Sequence, residues 1–199
     1  SKEGFSQEIL ADYIDRWYDK LELLYPEISG QSPHKLELEY NFSSHGGVWL
    51  PRENGEAIKL TGKIDKVEIL PDENLLITDF KTGKWFAHFD YKWPDYLKVK
   101  QWKYHLQLAF YALLFEYSAR FRMYPKRSYE LFFIEQDLKT GDFFRVREHI
   151  QDGEKERTKK LIQAVMQKIE TLSFPDTSSY PQSYEGIRQF EEDLLEWNI

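Results

Sequence analysis

Residues 60–84, LTGKIDKVEILPDENLLITDFKTGK, decide how this 199-residue chain is read. Residues 58–70 (IKLTGKIDKVEIL) are rich in alternating and β-branched residues, as are residues 75–80 (LLITDF), and PDEN between them is a turn signal. The two runs predict a β-hairpin whose first strand spans 58–70. A turn centred near Asp72 sets Asp65 and Asp79 at equal distances from its tip. Opposed residues of an antiparallel pair share a face, with Cβ atoms about 4.5–5.5 Å apart. Lys81 follows Asp79 by two residues, so the pleat returns it to that face. Two carboxylates this close repel unless a cation neutralises them, and a divalent metal ion is the obvious candidate. Taken singly, Asp65 also reads as an exposed strand residue paired with Lys63 or Lys66, and Asp79–Lys81 as a surface salt bridge. Aspartate is depleted in strands, however, and two falling in cross-strand register favour a site.

Around the hairpin, residues 6–25 carry Ile9, Leu10, Tyr13, Ile14, Trp17, Leu21 and Leu24 at helical spacing, with Ser6 as N-cap. Residues 35–42 (KLELEYNF) alternate as a half-buried strand with Leu36, Leu38, Tyr40 and Phe42 inward. Glu37 and Glu39 on its other side are candidates for an additional acid, Glu39 the better of the two, although a solvated face explains both. A short strand is expected at 48–50, an irregular crossover at 82–97 and a long helix from about 99 to 122. Gln107 and Tyr111 lie on one face of that helix at i and i+4. A second hairpin (128–136 and 142–149) and helices near 153–172 and 185–197 complete an α/β pattern without internal repeats.

The composition is that of a globular chain, 41% hydrophobic and 17% aromatic. With no apolar run near the roughly 18–20 residues of a membrane helix and no signal-peptide pattern, a cytoplasmic location without membrane contact is expected. Zero cysteines exclude disulfides and cysteine-ligated zinc or iron–sulfur centres. A net charge of −7 argues against an indiscriminate nucleic-acid coat. Charge is nevertheless uneven: Lys81, Lys84, Lys92, Lys98, Lys100 and Lys103 share one window with Trp85, Phe86, Phe89, Tyr91, Trp93, Tyr96, Trp102 and Tyr104. A cationic strip with aromatic plates suits a single nucleic-acid strand. A solvated loop with some core aromatics accounts for the same residues. The five histidines show no metal-ligand spacing.

Gly62-x-x-Asp65, Asp79-Phe80-Lys81-Thr82-Gly83 and Gln107-x-x-x-Tyr111, in this order, resemble the RecB-like branch of the PD-(D/E)XK nuclease superfamily over about residues 35–149. The resemblance implies a restriction-endonuclease-like core, a central mixed β-sheet flanked by helices, forming a single domain over 1–199. It implies hydrolysis of DNA phosphodiesters, exonucleolytic and in repair or recombination. Asp65, Asp79 and the Phe80 backbone carbonyl would hold Mg²⁺ or Mn²⁺, with Glu39 as a further ligand. Lys81 would serve the attacking water or offset charge, and Gln107 and Tyr111 would support the site. Lys84, Trp85, Lys103 and Gly62 are the candidate DNA contacts, Gly62 by allowing close backbone approach. The expected substrate is single-stranded DNA or duplex ends.

Two departures from the RecB-like pattern stand out. Its usual upstream histidine, in a G-x-x-x-H helix, has no counterpart in the 6–25 segment. The lead-in helix, the LELEYNF strand and the WKYHLQLAFYALLFE helix resemble the C-terminal region of UvrD/RecB-type helicases, so a piece of a longer helicase–nuclease, with a helicase domain or subunit as partner, is expected. The cysteines that hold an iron–sulfur cluster in many relatives are absent from SFPDTSSYPQSYEG. A nuclease-like module that has lost activity, gripping DNA or protein, is the alternative reading, and the absent histidine motivates it.

Overall fold

The computed structural model describes residues 35–90, 92–135, 137 and 139–196, so the helix expected over 6–25 lies outside the described residues. The described part opens with β1 (Lys35–Asn41), a 3-10 turn at Phe42–His45, β2 (Val48–Pro51) and β3 (Ala57–Leu60). β4 (Lys63–Ile69) and β5 (Leu75–Lys81) follow, then helix α1 (Asp95–Tyr117), β6 (Arg127–Phe133) and β7 (Phe144–Glu148). Helices α2 (Asp152–Glu170) and α3 (Tyr184–Glu196) close it. Five strands form the central sheet in the order β1-β4-β5-β6-β7, and β2 pairs with β3 in a separate two-stranded sheet. All pairings in the central sheet are antiparallel except β5 with β6. Parallel neighbours cannot be joined by a tight turn, so the chain crosses over through α1. The result is the expected α/β, restriction-endonuclease-like architecture, a mixed central sheet flanked by helices.

The run 58–70 is not one strand. It splits at Thr61-Gly62 into β3 and β4, which belong to different sheets. The Gly62 carbonyl accepts the Phe42 N–H at 2.9 Å, and a Cβ built on Gly62 would lie 2.8 Å from Leu114 Cδ1 on α1. The lack of a side chain thus lets the helix settle against the strand break.

The inward stripe expected of β1 holds for half its residues. Tyr40 and Phe42 are buried, packing edge-on at 5.0 Å and meeting Phe121 and Phe115. Leu36 and Leu38 remain 45% and 60% exposed, because among the described residues β1 is an edge strand with β4 as its one neighbour. The long helix begins a turn earlier than expected, with Pro94 at its N-cap and Asp95 at its first position, and ends at Tyr117 rather than near 122. Proline's fixed φ and absent N–H suit a helix start. Leu108, Leu113, Leu114 and Phe115 on α1 are essentially inaccessible, and each contributes about 1.5–3 kcal/mol by burial. That burial holds α1 across the sheet.

Candidate active site

The hairpin ladder pairs Lys66 with Thr78, Val67 with Ile77 and Glu68 with Leu76. Continuing that register by one step sets Asp65 opposite Asp79, as the turn arithmetic requires. Beyond Lys66–Thr78 the strands no longer pair as a ladder. Instead the Phe80 N–H donates to Asp65 Oδ2 at 2.8 Å, a side chain standing in for a strand carbonyl. In a strand, the N–H and C=O of one residue point towards the same neighbour. The Phe80 carbonyl therefore faces the Asp65 side.

Helix α1 closes the other wall. Tyr111 donates to Asp79 Oδ1 at 2.7 Å, and Gln107 Nε2 donates to the same oxygen at 2.8 Å and to the Tyr111 hydroxyl at 2.6 Å. Gln107 Oε1 accepts from Lys81 Nζ at 2.7 Å. Burial first, then the charge and hydrogen bond of Asp79, push the Tyr111 hydroxyl well above the ordinary tyrosine range. It therefore stays protonated and serves as a permanent donor. Asp79 Oδ2 is buried with no well-formed hydrogen bond, yet Lys81 Nζ lies 2.5 Å away as an ion pair. The two observations agree: the ammonium supplies charge to Oδ2 without good donor geometry. A buried, unsatisfied carboxylate oxygen beside a second carboxylate and an inward carbonyl is an all-oxygen donor set. It fits a hard divalent cation that keeps open positions for water and substrate. Among the described residues, no group of three His, Cys, Asp or Glu side chains could hold a metal ion.

A family model for the PD-(D/E)XK nuclease superfamily matches residues 3–184. The chain belongs to this superfamily. No curated protein matches the chain. Members of the superfamily are typically nucleases that use a divalent metal, Mg²⁺ or Mn²⁺, so membership points to a nuclease with DNA as its substrate.

Within this PD-(D/E)XK frame, five of the residues singled out from sequence (Asp65, Asp79, Lys81, Gln107 and Tyr111) form one connected cluster with the Phe80 backbone. Glu39 does not join it. The β1–β4 register runs past Asp65 at Glu39, but Glu39 adopts φ 54° and its carboxylate pairs with Lys63. Glu37 pairs with Arg120 and Lys35. Gly62 makes its close approach to Leu114, an internal contact. The Trp85 ring is half-buried and stacked on Phe144, centroids 3.4 Å apart and planes 7° off parallel. Lys84 and Lys103 are exposed, Lys103 one turn before Gln107. It stands at the edge of a cavity of about 950 Å³ between α1, α2 and α3. Of the aromatic window, Phe86 belongs to the core, against Phe89, Tyr104 and Phe133.

Two neighbours of the cluster, Lys100 and Tyr104, were read from sequence only as part of the cationic, aromatic window. The Tyr104 ring centroid lies 4.5 Å from Lys81 Nζ and 5.6 Å from Lys100 Nζ. Burial, and then the charge of Asp79, raise the Tyr104 hydroxyl above its ordinary value. Lys100, Tyr104, Gln107 and Tyr111 recur at i, i+4, i+7 and i+11, a single helical stripe. That spacing was the available signal.

Proposed function

We propose that the chain is a metal-dependent deoxyribonuclease of the RecB-like branch, a single domain over residues 1–199. In this reading it cuts single-stranded DNA or duplex ends exonucleolytically, in repair or recombination, beside a helicase domain or subunit. The observation that carries the nuclease reading is the closed network Asp79–Tyr111–Gln107–Lys81 opposite Asp65. The RecB-like refinement is supported by the D-F-K-T-G run and by the Gln107/Tyr111 pair meeting Asp79.

Asp65, Asp79 and the Phe80 carbonyl would hold Mg²⁺ or Mn²⁺, which when bound activates water and neutralises charge on the phosphoryl oxygens. The protein's own groups do the rest. Tyr111 and Gln107 fix one oxygen of Asp79, so the other, beside the Lys81 amine, is the one left to take a metal ion. Gln107 also holds the Lys81 amine, whose positive charge offsets negative charge gathering on the phosphate and orients the attacking water.

The test is cleavage of end-labelled single- and double-stranded DNA with Mg²⁺, Mn²⁺ or EDTA, comparing the chain with Asp79→Ala and Lys81→Ala. Cleavage requires metal and is lost in both variants, while circular dichroism shows their folds retained. Ordered release of terminal nucleotides marks an exonuclease. Cleavage surviving in both variants would sink the assignment. The second reading, an inactive module that grips DNA or protein, draws on the lack of a third ligand among the described residues. Salt-sensitive DNA binding without cleavage would identify it.

A further inference from the structure

We propose that Lys100 and Tyr104 form a binding site for a second DNA phosphate, next to the one being cut. The inference rests on the nuclease reading above and names a contact that reading leaves unassigned.

Lys100 lies on α1 two turns before Gln107, on the stripe that faces Lys81. Its ammonium is partly buried, and among the described residues no carboxylate pairs with it. Its hydrogen bond goes to the backbone carbonyl of Lys84. The amine sits 5.6 Å from the Tyr104 ring centroid and 5.9 Å from that of Phe133. Aromatic faces partly compensate a cation but leave its net charge uncancelled. Burial, then the neighbouring Lys84 charge, hold this amine below the ordinary lysine value. A half-buried cation beside another cation gains when an anion arrives.

The position points to which anion. Lys81 of the D-x-K triplet and Lys100 flank the same tyrosine ring, so they are no farther apart than their two distances to it combined. That limit is short enough for successive phosphates on one strand. Gly83 borders the same pair: a Cβ there would stand 3.5 Å from Lys100 Nζ and 3.7 Å from the Tyr104 hydroxyl, in ordinary contact with both. The Tyr104 hydroxyl, kept protonated, donates to the same phosphate. Lys81 attends the scissile phosphate and Lys100 with Tyr104 holds its neighbour, which fixes the strand in line with the carboxylates.

The test measures binding of a fluorescent thymidine oligonucleotide by anisotropy in EDTA, where nothing is cut, between about 50 and 200 mM salt. The full chain is compared with Lys100→Gln, Lys100→Arg and Tyr104→Phe. Losing one phosphate contact lowers the slope of log affinity against log salt by about 0.7 for single strands. Lys100→Gln loses about that much, whereas Lys100→Arg keeps the wild-type slope. In metal, Lys100→Gln and Tyr104→Phe raise KM several-fold with kcat within twofold. A Lys100→Gln slope equal to wild type, or an arginine variant that behaves like the glutamine one, would overturn the proposal. Gln keeps a donor for the Lys84 carbonyl; should it still fail to fold, an unchanged KM in Tyr104→Phe overturns it instead. A chain that binds with Lys100-dependent slope but never cuts would refute the nuclease reading and leave this one standing. No salt-sensitive binding at all refutes both.

Discussion

Replacing Tyr111 with phenylalanine removes one hydroxyl and tests whether α1 tunes the metal site through Asp79. The hydroxyl donates to Asp79 Oδ1 at 2.7 Å in a buried setting. A hydrogen bond to a charged group contributes about 1.5–3 kcal/mol. Because Gln107 Nε2 still donates to the same oxygen at 2.8 Å, the carboxylate is not left bare, and the lower half of that range applies. About 1.4 kcal/mol is a factor of ten in an equilibrium constant. If the bond serves to hold Oδ2 towards the metal, half-saturation with Mg²⁺ should rise about tenfold, as expected of an outer-shell partner. Activity at saturating metal should fall much less. Stability should drop by about 1.5–2 kcal/mol, or roughly 3–8 °C in Tm for a chain of this size. Cleavage rates across a Mg²⁺ series give the first quantity, and calorimetric titration of Mn²⁺ into metal-free protein gives it without reference to activity. An unchanged metal requirement with a lowered saturated rate would refute the reasoning. It would mean that Tyr111 acts on the DNA and not through Asp79.

Gly62→Ala drives a methyl to within 2.8 Å of the Leu114 side chain, which has no exposed surface in which to retreat. Overpacking of this kind costs about 1–3 kcal/mol, so Tm should fall by roughly 2–12 °C, and Leu114→Ala in the same chain should cost less than the two changes added. An unaltered Tm for Gly62→Ala removes the packing role. Tyr129 sits on β6 opposite Ile77 of β5, and burial raises its hydroxyl above the ordinary value near 10, partly offset by Arg127. A raised folded value gives stability that is whole below about pH 10 and lost as pH climbs towards the folded value. Chemical denaturation between pH 9 and 12 should therefore show a falling limb that is shallower in Tyr129→Phe. An identical limb in the variant excludes this tyrosine as its source.

Several features escaped sequence reasoning for reasons of distance along the chain. The alternation of residues 58–70 continues through Thr61-Gly62 without interruption, so nothing local separates β3 from β4. The break is made by the Phe42 N–H, about 20 residues away, and by Leu114, over 50 residues away. Leu36 and Leu38 read as inward because their period is right, yet burial also needs something on top, and an edge strand offers less of it. Trp85 reads as a free aromatic plate until Phe144 is found stacked on it. The exposed Lys84 and Lys103, and Lys100 with no carboxylate partner among the described residues, look alike as letters, since whether a lysine has a carboxylate neighbour is a property of the folded surface.

What the sequence determined by itself were the relations that depend on local geometry. A period of two and a turn at PDEN set Asp65 against Asp79 and bring Lys81 to the same side; a period of 3.6 puts Gln107 and Tyr111 on one stripe. These hold wherever the strands and helix lie. Only the tertiary structure decided that the stripe meets the hairpin, that Asp79 gives one oxygen to α1 and the other to Lys81, and that Glu39 turns away to Lys63. The physical reason is that local periodicity costs little and is written in adjacent residues. The docking of α1 across the sheet is instead set by buried apolar surface collected from the whole chain, and hydrogen bonds between distant residues follow from it.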